Sequence, residues 1–253
     1  MIPVKSAREI DTMRRACRVT ALALKAGSEA IAPGVTTGAI CGIIRSAIEC
    51  RGATPTFLGY RGYPAPATIS VNEELIHGIP GSRRLRAGDI VSIDVGAAVD
   101  GYTGDCAGTY PVGEVSQKAL LLIRAAEESF FEGIRHAREG AHLYDISKAI
   151  QLCAERRGYS VVRAFTGHGV GRQLHEEPEV PNFCPVKGRG PRLLTGMTLA
   201  VEPMLACGSA EVVIKEDGWT VCTADGELCA HYEHTVLVTA DGPELLTIAE
   251  GCG

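Results

Sequence analysis

The chain has 253 residues, 45% of them hydrophobic and 22% charged, a composition that excludes a disordered protein and suffices for a packed core. Its formal net charge of −5 offers no overall basic surface for nucleic acid, and no apolar run approaches the about 18 residues of a membrane-spanning helix. Ten cysteines without a CxxC pair, behind an N-terminus that lacks the apolar core of a signal peptide, predict a cytoplasmic protein with reduced thiols.

The predicted elements are helices and strands that occur twice in the same order. Ser6 and Glu9 have the spacing of a capping box, which predicts a helix that begins after Ser6. A second helix is predicted over about 37–51, with Gly52 as its stop. The later elements are loops and short strands over 53–81, a strand pair over 89–111, a helix from about Ser116 to before Gly140, a helix over about 144–157, and further strands.

The segment 89–111 predicts a β-hairpin whose turn is Asp100-Gly101, the strongest short-range hairpin signal. In that register Asp94 and Asp105 are diagonal neighbours on one face, about 7–8 Å apart at the backbone. Taken alone, the pattern favours two solvated aspartates. The alternative is a divalent metal ion that holds the two carboxylates together.

Two patterns recur in the second half of the chain, which indicates an internal duplication, with chance similarity as the alternative. They are LxxGxxVxID at 85–94 against LxxGxxLxVE at 193–202, and Gly34, Ile40 and Gly52 against Gly140, Ile146 and Gly158. The repeats would run over roughly 6–113 and 116–247. Under this interpretation Asp94 and Glu202 occupy equivalent strand ends and face one central site.

Three polar stretches add to the two aspartates. His168 lies in GHGVG, Glu202 ends an apolar strand in VEPM, and Glu233 lies in HYEH. Taken singly, His168 is interpreted as a loop histidine and Glu233 as a solvated edge residue. Together with Asp94 and Asp105, they form an oxygen-rich set with one imidazole, which suits Mn²⁺, Fe²⁺, Co²⁺ or Zn²⁺. Four carboxylates are natural for two ions that share bridging ligands, an arrangement typical of hydrolases.

These residues lie in stretches that resemble the bacterial type I methionine aminopeptidases over essentially residues 1–250. The stretches are LGYRGYPAPATISVNEELIHGIP (58–80), IDVGAAVDGYTGD (93–105), GHGVGRQLHEEP (167–178), VEPM (201–204) and YEHT (232–235). The resemblance implies an α+β pita-bread (creatinase/aminopeptidase) fold, with two pseudo-symmetric αβ halves and a central antiparallel sheet backed by helices. It also implies a single catalytic domain over 1–253 without an N-terminal extension.

The resemblance implies a role for each metal ligand. Asp94 would chelate one of two divalent ions, His168 and Glu202 would hold the other, and Asp105 and Glu233 would bridge them.

It further implies the residues that act on the substrate. His175 would hydrogen-bond the scissile carbonyl, and His77 would contact the nitrogen of the following residue. Glu202 would carry a proton from the attacking water to the leaving amine. A monovalent cation, Na⁺ or K⁺, is implied near Asn72 and Cys229.

The resemblance also implies a methionine pocket, since a buried apolar slot fits an unbranched thioether. Its substrate-binding residues are Phe57, Tyr60, Tyr63, Thr68, His77, Leu174, His175 and Trp219. Ordinary core packing is the alternative for the aromatic members. Phe57, Thr68 and Leu174 depart from the Cys, Cys and Phe that we expect in the family, which puts the shape of the pocket in question but not the metal chemistry.

The implied activity is removal of the initiator methionine from deformylated nascent chains whose second residue is small and uncharged. A monomer is expected, without a nucleic-acid or membrane partner. Any ribosome contact is expected to be transient, because the segment 207–229 carries five acidic residues against Lys215 alone.

Two other classes of protein are alternatives. An Xaa-Pro peptidase or creatinase-like hydrolase would carry a long N-terminal domain, and the creatinase type lacks the ligands. A catalytically inactive binding protein on the same fold would have lost ligands, whereas this chain retains all five.

Overall fold

The computed structural model describes residues 2–185 and 188–249. The helices are α1 (Ala7–Glu29), α2 (Thr37–Glu49), α3 (Gln117–Ile134) and α4 (Leu143–Arg156), with a 3-10 turn at Tyr60–Gly62. The strands are β1 (Thr54–Pro55), β2 (Thr68–Val71), β3 (Glu74–Ile76), β4 (Ile90–Val99), β5 (Tyr102–Pro111), β6 (Ser160–Val161), β7 (Gly167–Gly169), β8 (Glu176–Val180), β9 (Thr198–Val201), β10 (Met204–Ala206), β11 (Val212–Ile214), β12 (Val221–Thr223), β13 (Cys229–His231), β14 (Glu233–Val238) and β15 (Pro243–Leu245). Among the described residues, no helix combines the length and the apolar character that a membrane crossing requires.

The four predicted helices are confirmed, each close to its predicted bounds. At the start of α1 the backbone N–H of Ser6 donates to the Glu9 carboxylate at 2.9 Å, which is half of the predicted capping box. At the start of α3 the hydroxyl of Ser116 accepts from the backbone of Ala119 at 3.2 Å. Gly52 follows the end of α2 with a φ of 70°, a left-handed conformation that glycine adopts without strain.

A nine-stranded sheet forms the centre of the molecule. Its strand order is β1-β4-β5-β14-β9-β7-β8, and β2 and β15 pair additionally with β4 and β14. Asp100 and Gly101 both have positive φ in the tight turn between β4 and β5. Asp94 pairs with Ala107 and Asp105 with Gly96, so the predicted hairpin and its register are confirmed.

The helices cover one side of this sheet. α1 packs on β4 and β5 and on α2, while α3 packs on α4. The first half of the core joins apolar residues of α2, such as Ile44, to β4 residues such as Ile93. The second half joins Ile150 of α4 to Val201 and Val236 of the central strands. The architecture is therefore the predicted α+β arrangement of a sheet backed by two helix pairs.

The helix pairs of the two halves make the same close contact. A Cβ atom on Gly27 of α1 would lie 2.7 Å from Ile44 of α2. A Cβ atom on Gly133 of α3 would lie 2.6 Å from Ile150 of α4. The partners are separated by 106 positions in both cases. In each half a glycine of the first helix therefore leaves the space that an isoleucine of the second helix occupies.

Equivalent backbone hydrogen bonds also occur in the two halves. The N–H of Gly34 donates to Leu85 at 2.7 Å, and the N–H of Gly140 donates to Leu193 at 2.9 Å. These residues belong to the patterns that recur in the sequence. They are the contacts expected of a duplication. The extents of the two repeats, roughly 6–113 and 116–247, stay a prediction.

The position of Glu233 differs from the interpretation of that residue taken singly. The strand β14 that begins at Glu233 pairs with β15 and lies in the middle of the sheet between β5 and β9. Glu233 is 2% exposed, so the interpretation of Glu233 as a solvated edge residue is wrong. Sequence alternation cannot show which strand is central, because strand order depends on pairing between distant segments.

The nine described cysteines are free thiols, and six of them are buried. Cys252 lies outside the described residues.

Candidate metal centre and pocket

The five predicted ligands come from five strands that are neighbours in the central sheet. Asp94 lies on β4, Asp105 on β5, Glu233 on β14 and His168 on β7, and Glu202 follows β9 directly. The sheet therefore brings together side chains that are far apart in sequence. All five line one cavity.

His168 is oriented for ligation through its Nε2 atom. Its Nδ1 lies 2.9 Å from the carbonyl oxygen of Gly169, a contact that holds the proton on Nδ1. Its Nε2 lies 3.5 Å from Oε1 of Glu202 and 3.8 Å from Oδ2 of Asp105. Burial lowers the pKa of His168 to about 3, which keeps the ring neutral.

The carboxylates of the cluster are shielded and lack partners. Oδ1 of Asp94, Oδ1 of Asp105 and Oε1 of Glu233 are buried and accept no hydrogen bond from the described residues. Burial raises the pKa of Asp94 to about 7. Burial also raises the pKa of Asp105, Glu202 and Glu233 well above their usual range, and the charges of neighbouring carboxylates add to this effect.

Unpartnered buried acceptors cost free energy unless a donor or a cation compensates them. Because the donor set consists of carboxylate oxygens and imidazole nitrogens, it fits divalent transition metals. Ligand atoms of Asp105, His168 and Glu233 all lie within 4.8 Å of one another, as do those of Asp94, His231 and Glu233. The residues therefore fit two divalent ions.

His231 is a member of this cluster that sequence reasoning missed. Its Nε2 lies 3.7 Å from Oε2 of Glu202 and 3.8 Å from Oε2 of Glu233. One sequence signal could have indicated it: His231 and Glu233 are two positions apart, and alternate residues of an extended chain point to the same side.

The glycines around His168 are required by close packing of strands. A Cβ atom on Gly167 would lie 2.3 Å from the carbonyl oxygen of Ala200, and one on Gly169 would lie 2.2 Å from that of Glu177. The close approach is therefore between β7 and the backbones on either side of it, and it fixes the position of His168.

His77 lines the same cavity as the carboxylates and has a constrained backbone. Its φ is 60°, which is unfavourable for a residue with a side chain. The next residue, Gly78, accepts hydrogen bonds from the Tyr63 hydroxyl and the Ile69 N–H, both at 2.9 Å. Burial lowers the pKa of His77 to about 4, and the nearby His175 acts in the same direction.

His175 lies between Tyr60 and His168. Its ring stacks on Tyr60 at 5.2 Å between centroids, and its Nδ1 lies 2.9 Å from the Tyr60 hydroxyl. Burial, and next the charge of Arg61, lower the pKa of His175. Engagement of Nδ1 leaves Nε2 for an atom of a bound molecule.

The cavity has a volume of about 320 Å³, within the range that suits a small ligand or one side chain. All the predicted ligands and all the predicted substrate-binding residues line it. Trp219 meets Tyr63 edge-on at 5.2 Å and lies 6.4 Å from His77. Sequence reasoning missed five further lining residues, Arg61, Ile76, Ala164, Phe165 and Thr166. Of these, Arg61 and Ile76 lie inside the stretch 58–80, and the other three directly precede the stretch 167–178.

Asn72 and Cys229, the positions of the expected monovalent cation, are in direct contact. The carbonyl oxygen of Asn72 lies 3.2 Å from both the N–H and the Sγ of Cys229. Asn72 has a φ of 61°.

A buried cluster of carboxylates and imidazoles with unpartnered atoms, at the end of a largely apolar pocket, defines a metal-dependent hydrolase. Residues 11–240 match the model of metallopeptidase family M24. The methionine aminopeptidase of Clostridium perfringens is 51% identical over 98% of this chain and 99% of that protein. Methionine aminopeptidase 1 of Bacillus subtilis is 47% identical over 98% and 99%. The chain therefore belongs to the methionine aminopeptidases of family M24.

Solved structures agree with this assignment. The methionine aminopeptidase of Thermotoga maritima superposes with a TM-score of 0.95 at 43% identity and covers 98% of this chain and 99% of its own. The prolidase from Pyrococcus furiosus superposes with a TM-score of 0.80 at 24% identity, over 98% of this chain and 66% of its own. That second likeness shows the fold alone, which is the predicted pita-bread fold.

Proposed function

We propose that this chain is a two-metal methionine aminopeptidase that removes the N-terminal methionine of nascent proteins when the second residue is small and uncharged. Family membership makes it a metal-dependent aminopeptidase. The observation that carries the finer proposal is the meeting of four carboxylates and His168, from five adjacent strands, at one end of an apolar pocket.

In this proposal Asp94 holds one divalent ion, His168 and Glu202 hold the other, and Asp105 and Glu233 bridge them. The ions are Co²⁺, Mn²⁺, Fe²⁺ or Zn²⁺, which accept mixed carboxylate and imidazole ligands. When bound, such a pair supplies a nucleophile at neutral pH and polarises the bond under attack.

The substrate's free α-amino group lies beside Asp94. Thr68, a pocket residue, pairs directly with Asp94 across the sheet, so the carboxylate is next to the space for the first side chain. A formylated or internal amide nitrogen has no lone pair to offer there. The enzyme therefore acts only at free N-termini, after deformylation.

Three residues act on the peptide bond. The Nε2 atom of His175 donates to the scissile carbonyl oxygen and stabilises the charge that develops on it, while Tyr60 holds the opposite side of the ring. Glu202 takes a proton from the attacking water and passes it to the leaving amine, because burial raises its pKa and makes it a better base than an exposed glutamate. His77 contacts the nitrogen of the second residue.

The methionine side chain occupies the apolar part of the cavity. Phe57, Tyr63 and Leu174 are buried there, and the Trp219 ring meets the His77 ring edge-on, with 6.4 Å between the ring centroids. An unbranched thioether adapts to such aromatic walls better than a branched side chain does.

Chelation and readdition of metal test this function. Metal-free protein should not cleave Met-Ala-Ser, and Mn²⁺ or Co²⁺ should restore cleavage up to two equivalents. Met-Ala-Ser and Met-Gly peptides should be cleaved orders of magnitude faster than Met-Lys, and N-formyl-Met-Ala-Ser not at all. Chelator-resistant cleavage would refute the metal mechanism, and equal rates on Met-Ala-Ser and Met-Lys would refute the proposed specificity.

Some further features belong to the same proposal. A monovalent cation, Na⁺ or K⁺, binds near Asn72 and Cys229, which is supported by the contact between these residues. The protein acts in the cytoplasm as a monomer of one domain, built from repeats over roughly 6–113 and 116–247, and contacts the ribosome only transiently.

A further inference from the structure

His231 is a buried imidazole whose partner is missing from the described protein. It is 2% exposed, and neither ring nitrogen has a hydrogen-bond partner among the described residues. The buried His168 and the half-buried His234 differ in this respect. His168 has its Nδ1 at a carbonyl oxygen, and His234 has Nδ1 2.8 Å from Thr247 and Nε2 3.1 Å from Tyr232. A buried ring without partners is costly, so something else must satisfy it.

The backbone holds His231 in place. Its N–H donates to the Thr109 hydroxyl at 2.9 Å, and its carbonyl oxygen accepts from the same hydroxyl at 2.9 Å. His231 also pairs with Met204 across the two neighbouring strands β13 and β10. Because these contacts fix the backbone on either side of the side chain, the ring points consistently toward the carboxylates.

The two imidazoles of the cluster flank Glu202 symmetrically. Nε2 of His168 lies 3.5 Å from Oε1 of Glu202, and Nε2 of His231 lies 3.7 Å from Oε2. These separations exceed the about 2.7–3.2 Å of a hydrogen bond from nitrogen to oxygen. Ligand atoms bound to one ion at about 2.0–2.2 Å lie about 3–4 Å apart. Nε2 of His231 lies 3.8 Å from Oε2 of Glu233, the carboxylate proposed to bridge the ions, and this distance meets that spacing.

The cluster separates into two ligand groups that share one carboxylate. One group joins Asp105, His168 and Glu233, and the other joins Asp94, His231 and Glu233. Each group contains one imidazole. The distribution is that of two ions bridged by Glu233, each with a nitrogen ligand of its own.

We propose that His231 is a second imidazole ligand of the metal centre and binds the ion held by Asp94 and Glu233. This inference rests on the metal centre of the proposed function. Its consequence is chemical: a nitrogen ligand at the Asp94 position favours Co²⁺, Fe²⁺ and Zn²⁺ over Mg²⁺ and Ca²⁺, which prefer oxygen ligands. The two sites then also differ less in metal affinity than they would if only one of them had an imidazole ligand.

Paramagnetic proton NMR of the Co²⁺-loaded protein tests the ligand directly. A ligating imidazole shows a strongly shifted, exchangeable N–H signal. Two such signals are expected from wild type and one from His231→Gln, which keeps a polar side chain of similar reach. Calorimetric titration with Co²⁺ should show one of two sites weakened by about 10–100-fold in the variant, the size of a lost metal-site interaction.

His234→Gln is the matched control, because His234 is a half-buried histidine three positions along whose nitrogens already have protein partners. It should retain both signals and both affinities. His231→Asn serves as a second variant if His231→Gln does not fold. A single imidazole signal in wild type, with two Co²⁺ ions bound, would overturn the assignment of His231 while the proposed function stands. Failure to bind two Co²⁺ ions would overturn both.

Discussion

The side chains that are proposed to carry the chemistry are held in protonation states that water would not favour. Asp94 has a pKa of about 7, and His77 and His168 have pKa values of about 4 and 3, all because of burial. Imidazoles that are neutral at neutral pH can donate a hydrogen bond or bind a metal. A bound cation would stabilise the ionised form of the buried carboxyl groups, which burial disfavours. The same burial that costs folding free energy therefore prepares the site for its ligands.

His77 should make the stability of the metal-free protein depend on pH. Its pKa is lowered from 6.5 to about 4, so the unfolded chain binds a proton between these values and the folded chain does not. The stability from the neutral ring is present above pH 6.5 and is lost as the pH falls toward 4. One group contributes at most about 1.4 kcal/mol per pH unit to this loss.

Urea unfolding of metal-free wild type and His77→Gln at pH 7 and pH 4.5 measures the effect. The free energy of unfolding should decrease less in the variant between the two pH values, by about 2 kcal/mol. An equal decrease in both proteins would show that His77 titrates normally in the folded state. Metal is left out because its binding depends on pH by itself.

Among the secondary-structure elements, β7 determines where His168, one of the proposed metal ligands, lies. It is a three-residue strand between β8 and β9, and its glycines let both neighbours approach closely. The residues before and after His168 in β7 are glycines, and strands adjoin β7 on both sides, so the strand has little room to shift. The strand therefore acts as a rigid support for a ligand, which sites of this kind require.

Gly169→Ala should disturb this support. The new Cβ would lie 2.2 Å from the carbonyl oxygen of Glu177, which is backbone and can only move with its strand. We expect a loss of about 1–3 kcal/mol in unfolding free energy, the cost of overpacking a closed site. Metal affinity should fall as well, because His168 moves with the strand.

Gly42→Ala is the control. Gly42 is exposed on α2 with nothing within 4 Å of a new Cβ atom. Alanine there should stabilise the helix by about 0.5–1 kcal/mol and leave metal binding unchanged. Thermal unfolding and Co²⁺ titration of both variants test the contrast, and unchanged stability of Gly169→Ala would contradict the packing argument.

Across the molecule, the N-terminal segment ties the site to the second half of the sheet. The N–H of Lys5 donates to Gly196 at 2.8 Å, and its ammonium group lies 2.7 Å from the Glu176 carboxylate. Both side chains of this ion pair are at most 10% exposed. Glu176 follows His175 directly, so the first residues of the chain help to place a residue proposed to act on the substrate.

Lys5→Met should be strongly destabilising, because it leaves the Glu176 charge buried without a partner. Breaking a buried pair in this way costs about 3–5 kcal/mol. Lys5→Met/Glu176→Gln should recover part of the loss, since no charge remains. Methionine-peptide kinetics of the double variant should show a lower kcat, because the contact behind His175 is gone.

The exposed pair of Arg45 and Glu49, 2.7 Å apart on α2, provides the comparison. Arg45→Met should change the unfolding free energy by less than about 0.5 kcal/mol, as exposed helix pairs do. Chemical denaturation of the three variants gives these values. If Lys5→Met cost no more than Arg45→Met, the buried pair would have no structural role.

The sequence alone predicted the features that depend on neighbouring residues. The capping box at Ser6, the Asp100-Gly101 turn and the register that sets Asp94 beside Asp105 follow from local hydrogen bonding and from the alternation of side chains along a strand. The resemblance to the family also indicated thirteen residues, the five ligands and eight substrate-binding residues, and all of them line the cavity. Local patterns suffice here because turn geometry and strand alternation are set by a few consecutive residues.

Only the tertiary structure placed β14 at the centre of the sheet and buried Glu233 there. It also brought His231 to the carboxylates, packed the glycines around His168 against other backbones, and paired Lys5 with Glu176. Each of these contacts joins segments that are distant in sequence, or depends on which strand lies next to which. No local pattern encodes such pairings, because they arise from the burial of apolar surface by the chain as a whole.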